Sequence, residues 1–83
     1  MEVKVGRIYK HFKGDFYLVE GVATSADDLE ECVIYRQLYG DGNLFIRKSS
    51  EFLGKVDKDK YPDVEQEYRF EPQDIKSKRL VKS

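Results

Sequence analysis

The sequence predicts an all-β fold, a small barrel of about five strands with one short helical turn. Three observations carry this expectation. Segments rich in aromatic and β-branched residues recur at short spacing, each closed by Gly, Asp, Asn or Pro. Asp41-Gly42 stands between two apolar runs, a strong signal for a tight hairpin. In one segment the alternation of apolar residues slips by one position at a glycine, as it does at a β-bulge. The 83 residues leave room for one domain, expected over residues 1–75, with a basic tail expected to fray over 76–83.

The first strand is expected over Gly6 to Phe12, ended by the turn Lys13-Gly14-Asp15. The second runs from Phe16 to Thr24. Tyr17 and Val19 share a face there, yet Val22 is out of phase, so a bulge at Glu20-Gly21 would absorb the extra residue and bend the strand. The polar stretch from Thr24 to Glu30 reads as a loop. Strands three and four are expected over Cys32 to Tyr39 and Leu44 to Lys48. If Asp41 and Gly42 form a two-residue turn, Tyr39 faces Leu44, Leu38 faces Phe45 and Arg36 faces Arg47; a three-residue loop would shift that register. Ser49 and Ser50 are placed to cap a short helical turn carrying Phe52, Leu53 and Val56. Asp57 to Glu67 is charge-rich and reads as a solvated loop. Tyr68, Arg69 and Phe70 make a closing strand halted by Pro72.

Composition limits the function classes. A chain this short buries only about 60% of its unfolded surface, so the six Tyr and five Phe must supply much of the core. One cysteine, Cys32, excludes an internal disulfide, and with one histidine it cannot complete a four-ligand zinc site. No metal and no cofactor is expected. The N-terminus lacks the apolar run of about 7 to 15 residues that a secretory signal needs, and no segment has the roughly 20 apolar residues of a membrane span. The expected setting is the cytoplasm, without membrane contact. Lys76, Lys78, Arg79 and Lys82 hold four of the 15 basic residues, leaving residues 1–75 with eleven against sixteen acids, a net charge of −5. An acidic body argues against a broad phosphate-binding surface, so nucleic acid is an unlikely partner.

The stretches KGDFYLVEGVA and VIYRQLYGDGNLFIRKSSEFLGKV resemble the family called domain of unknown function 1653. The likeness extends over roughly Gly6 to Phe70. It combines Tyr9, His11, Lys13 and Gly14, the Gly21-Val22-Ala23 step, Tyr35 and Arg36, the run from Leu38 to Gly42, and Arg47, all in order. Phe45 and Lys48 stand where that family tends to have Trp and Pro. The resemblance implies a small SH3-like barrel and no established activity, and a fold does not imply a function.

Candidate sites follow from the expected register. Like charges facing each other across a strand pair are unfavourable, so Arg36 and Arg47 call for an offsetting partner. One option is an anion gripped by two guanidinium forks; the other is a local glutamate, Glu30, Glu31, Glu51 or Glu71, folded over them. The glycines around Asp41 match neither a P-loop nor a dinucleotide fingerprint and read as a turn. His11 could serve as a general base, but Cys32 sits in an apolar run and no nucleophile-base spacing is visible. Asp27, Asp28, Glu30 and Glu31 lack the pattern of a calcium loop. The leading expectation is a noncatalytic binding module with Arg36, Phe45, Arg47, Tyr35 and His11 receiving a small anion or an acidic peptide. The alternatives are a small enzyme using His11 with Tyr35 or a carboxylate, and a nucleic-acid-binding accessory domain acting through the basic tail.

Overall fold

The computed structural model describes residues 2–74. The tail expected to fray over 76–83 lies outside them. The strands are β1 (Ile8–His11), β2 (Phe16–Thr24), β3 (Glu31–Gln37), β4 (Leu44–Lys48) and β5 (Phe70–Pro72), with one helical turn, α1 (Ser49–Phe52), between β4 and β5. They form one antiparallel sheet in the order β4-β3-β2-β1-β5.

The bulge lies where the sequence places it. Val19 faces Tyr35 and Gly21 faces Ile34, which leaves Glu20 as the extra residue. Such an insertion bends its strand. The bend shows in the core: on a flat sheet β5 would lie three strand spacings, about 14 Å, from β3. Instead the rings of Phe70 on β5 and Tyr35 on β3 have centroids 5.5 Å apart. The inner face of the curled sheet carries Tyr9, Tyr17, Val19, Val33, Tyr35 and Phe70. Phe52 from α1 completes the core, stacked on Phe70 at 4.2 Å and edge-on to Tyr9 and Tyr35. A single helical turn suffices for this because its role is to drop one ring into the mouth of the curl.

The serines do not cap that turn. Lys48 occupies the N-cap position and makes no side-chain capping bond, and Ser49, the first helical residue, donates its hydroxyl to Glu31 Oε1 at 2.7 Å. β5 also differs from expectation, since it includes Pro72 and starts at Phe70. Gln73 N–H donates to the Ile8 carbonyl and Phe12 N–H to the Arg69 carbonyl. Alternation between those bonds leaves Pro72, opposite Tyr9, with its nitrogen turned to the open edge, where no donor is needed.

The hairpin register corrects the sequence reading. Arg36 faces Leu44, Ile34 faces Ile46 and Val33 faces Arg47. The ladder closes at Gln37, whose N–H donates to the Asn43 carbonyl, so Leu38 to Gly42 all belong to the loop. A two-residue turn was the wrong premise, because both Gly40 (φ 55°) and Gly42 (φ 66°) are left-handed and the turn bond runs from Gly42 N–H to the Tyr39 carbonyl. The slip is odd in residues, so it moves every β4 side chain to the opposite face from the one expected. A Cβ on Gly42 would meet nothing nearer than 3.9 Å, which leaves backbone conformation as the obstacle. Gly42→Val is therefore expected to cost about 1–2 kcal/mol and to lower the melting temperature by roughly 5 °C or more. An unchanged melting curve would contradict this turn geometry.

Candidate functional site

Arg36 and Arg47 lie on opposite faces of the hairpin, so they do not form a joint anion site. Arg36 is on the outer face, held by Glu20 through Nε at 2.6 Å and Nη2 at 3.3 Å, while its Nη1 donates to the Gly42 carbonyl. Its neutralising acid is thus Glu20, the bulge residue, and none of the four glutamates the sequence suggested. Arg47 is on the inner face. Its Nε donates to the Tyr35 hydroxyl at 3.0 Å and its Nη1 lies 3.7 Å from Glu51. Tyr35 itself is buried in the core, which removes it from direct ligand contact and from the enzyme reading that paired it with His11. Phe45 sits on the inner face near Tyr35, with centroids 5.8 Å apart, and is partly exposed.

His11 and Arg47 do meet, at a cleft of about 270 Å³ walled by Phe12, Lys13, Asp57, Lys60, Tyr61, Arg69 and Phe70 as well. Several segments build it. His11 ends β1 on the inner face, with its ring 4.8 Å from that of Phe70. The turn that follows returns directly to β2, because His11 N–H donates to the Asp15 carbonyl and Gly14 N–H to the His11 carbonyl. Phe12 and Lys13 stand at its tip. The segment from Gly54 to Val56 runs against Glu67 to Arg69, through Arg69 N–H to the Gly54 carbonyl and Val56 N–H to the Glu67 carbonyl. Gln66 fastens this ladder to β1, since its Nε2 donates to the Lys10 carbonyl at 2.9 Å. The charge-rich loop is then closed on itself by Tyr61 N–H donating to the Asp57 carbonyl, which sets Tyr61 against Phe12 at 5.0 Å.

The electrostatics of this cleft run against those of the whole. Lys13, Arg47, Lys60 and Arg69 line it with a single acid, Asp57. Among the described residues Lys13, Lys60 and Arg69 have no ion pair, as is also true of Lys4, Arg7, Lys10 and Lys58 outside the cleft; what sets the three apart is that they converge with Arg47 on one cleft. Two of these cations rest over aromatic faces. Lys13 Nζ is 5.7 Å from the Tyr61 centroid and 5.9 Å from that of Phe12, and Lys60 Nζ is 5.6 Å from Tyr61. Such contacts hold an ammonium in place while leaving its charge uncompensated.

Burial, and after it the charges of Lys13 and Arg47, lower the pKa of His11 below the usual 6.5; Arg69 adds to this and Asp15 opposes it. Its Nδ1 accepts from the Lys13 N–H at 3.2 Å, so in the neutral ring the proton is on Nε2. The sign of the pH dependence follows. As pH falls through about 6.5 the unfolded chain takes up a proton that folded His11 refuses, so stability declines there and levels off below the folded-state pKa. An NMR titration should give a His11 midpoint below 6.5, with the midpoint rising when an anion occupies the cleft. A midpoint at or above 6.5 without ligand would contradict the cationic surroundings described here.

Tyr17 is buried and hydrogen-bonded to the Tyr39 hydroxyl at 2.5 Å; burial first, and then that bond, push its phenol well above the ordinary range. Cys32 is buried, as its apolar run suggested. Among the described residues no group of three His, Cys, Asp or Glu is placed to hold a metal, and no helix is long and apolar enough to cross a membrane. The sequence reading missed Lys13, Lys60, Tyr61 and Arg69 as site residues. The available signal was the adjacency of aromatic and basic residues in Phe12-Lys13 and Lys60-Tyr61, both at turns.

No curated protein and no solved structure shows significant similarity to this chain. A family model described as a protein of unknown function, DUF1653, matches residues 7–72. That span runs from the residue before β1 to the last residue of β5 and includes every strand and every residue of the cleft. The chain therefore belongs to the DUF1653 family.

Proposed function

We propose that this domain is a noncatalytic binding module that takes a small anionic ligand, a phosphate or a carboxylate, in the cleft between the β1–β2 turn and the Asp57–Tyr61 loop. One observation carries the reading: in a chain segment with a net charge of −5, Lys13, Lys60 and Arg69 converge with Arg47 on one cleft, and among the described residues none of the three has a carboxylate partner. Acids are abundant enough to pair with these residues, and holding like charges together unpaired is unfavourable unless a ligand offsets the repulsion. Arg47 and Arg69 offer planar forks suited to bidentate contacts, the lysines offer point charges, and His11 offers a neutral Nε2–H donor. The walls of Phe12, Tyr61 and Phe70 favour a ligand with an apolar or planar part beside its anionic group.

The sheet order, with β5 beside β1 and β2 to β4 as a meander, supports an SH3-like open barrel. A free, buried Cys32 suits a reducing compartment such as the cytoplasm.

The test is thermal denaturation in inorganic phosphate, citrate or a glutamate-rich peptide, with ionic strength held constant by sodium chloride. A cleft ligand should stabilise the domain as RT ln(1 + [L]/Kd), about 2.7 kcal/mol at a hundredfold excess over Kd. A response to phosphate or citrate identifies a small anion, and a response confined to the peptide identifies an acidic partner. Equal melting temperatures in all three and in chloride alone would overturn the proposal.

A further inference from the structure

The open edge of β4 is unlike the rest of the surface. Among the described residues β4 pairs only with β3, and it exposes Leu44, Phe45 and Ile46 in succession, Ile46 to 67%. Gln37 and Asn43 are a hydrogen-bonded pair, so by alternation Phe45 and Arg47 bond to β3 while Leu44 and Ile46 turn their N–H and C=O groups outward and Lys48 its N–H, its carbonyl being taken at the N-cap of α1. Natural sheets usually guard an edge of this kind with proline, an inward charge or a bulge. β4 carries Arg47 on its inner face and Lys48 at its end, but no proline, bulge or charge at its centre, Ile46.

We infer that two copies of this chain associate through antiparallel pairing of β4 with β4 about a twofold axis at Ile46. Ile46 is the middle residue of Leu44–Lys48, so only this centring overlaps the full strand. It makes Ile46 face its own copy, Leu44 face Lys48 and Phe45 face Arg47. Each facing pair is favourable: an aliphatic pair, a lysine stem over leucine, and a guanidinium against an aromatic ring. Centring one residue further along, on Arg47, would set two arginines opposite each other and would direct their backbone groups away from the partner. The outward N–H and C=O of Ile46, with the Lys48 N–H and the Leu44 carbonyl, coincide with those a twofold at Ile46 requires, giving an isologous contact that continues the sheet across both copies. Lys48 is anchored by Asp28 at 2.9 Å and by Glu30, so its charge is already compensated where it meets Leu44 of the other copy. Leu29, which lies between those two acids, is 77% exposed and adds a further apolar side chain on the loop tied to this end of β4.

The experiment is sedimentation equilibrium of the full chain from about ten micromolar to about one millimolar, with amide exchange followed over the same range. Dimer is expected to accumulate with concentration, and the amides of Ile46 and Lys48 are expected to gain protection while those of Phe45 and Arg47, already bonded to β3, stay unchanged. Ile46→Pro removes an N–H that serves no intramolecular bond, so the fold should persist and the dissociation constant should rise about tenfold or more. Ile46→Lys sets two ammonium groups at the axis and should have the same effect without touching the backbone. A monomeric mass throughout the range would overturn the inference and leave the edge to a different partner. So would a dimer that either variant leaves intact, or protection that appears away from β4.

Discussion

Phe52→Ala is expected to remove a large share of the stability of this domain, from about a third upward. Phe52 is fully buried, stacks on Phe70 at an interplanar angle of 9°, and touches Tyr9 and Tyr35 edge-on. It is also the only core ring supplied by α1, so its loss opens a cavity between β5 and β3 that no neighbouring side chain on the same element can fill. Truncations of buried Phe cost about 3–5 kcal/mol, and a domain of this length has a total stability of only about 4–12 kcal/mol. The expected fall in melting temperature is at least about 15 °C, read by circular dichroism. A fall of only about 5 °C would mean that the sheet holds its curvature without the α1 ring, and that β1, β2 and β5 contain most of the core.

The second large effect is on binding. Lys13→Gln combined with Lys60→Gln removes two of the four cations of the cleft while leaving every backbone bond of its walls in place. Both side chains stand at the surface over aromatic rings, so the ligand-free domain should change by less than about 1 kcal/mol. Each lost charge-assisted contact is worth about 1.5–3 kcal/mol to a bound anion, so affinity should fall at least about a hundredfold and the stabilisation by phosphate should vanish. Arg36→Gln is the control. Arg36 sits on the outer face in its pair with Glu20, and its loss should leave the phosphate response intact. A response lost in Arg36→Gln and retained in the double lysine variant would place the anion on the hairpin's outer face.

Much of the architecture was legible because local chemistry decides it. β2 and β4 have the bounds that aromatic and β-branched content implies, and the slip between Val19 and Val22 marks the bulge at Glu20-Gly21. The hairpin was legible as a hairpin but not in register, because register depends on how many residues the loop consumes. Asp41-Gly42 is compatible with a short turn, whereas Gly40 and Gly42 both in left-handed conformation make a longer one. That single difference undid the pairing of Arg36 with Arg47, since an odd slip exchanges the faces of a strand. The cleft was illegible for a different reason. Its members come from the end of β1, the tip of the first turn, β4, a loop near Lys60 and the segment before β5, and no spacing along the chain announces a meeting that depends on the curl of the sheet. His11 and Arg47 were named as candidates, and they are the two that the fold brings to that cleft.

The central claim concerns where an anion binds, and the most direct measurement is an NMR titration of the amide signals with inorganic phosphate at constant ionic strength. The account predicts saturable shifts, fitting one dissociation constant, at His11, Phe12, Lys13, Lys60, Tyr61 and Arg69, with Arg36, Gly42 and Leu44 unmoved. Shifts centred on Arg36 and Gly42, or small shifts that grow linearly without saturation across the surface, would contradict it.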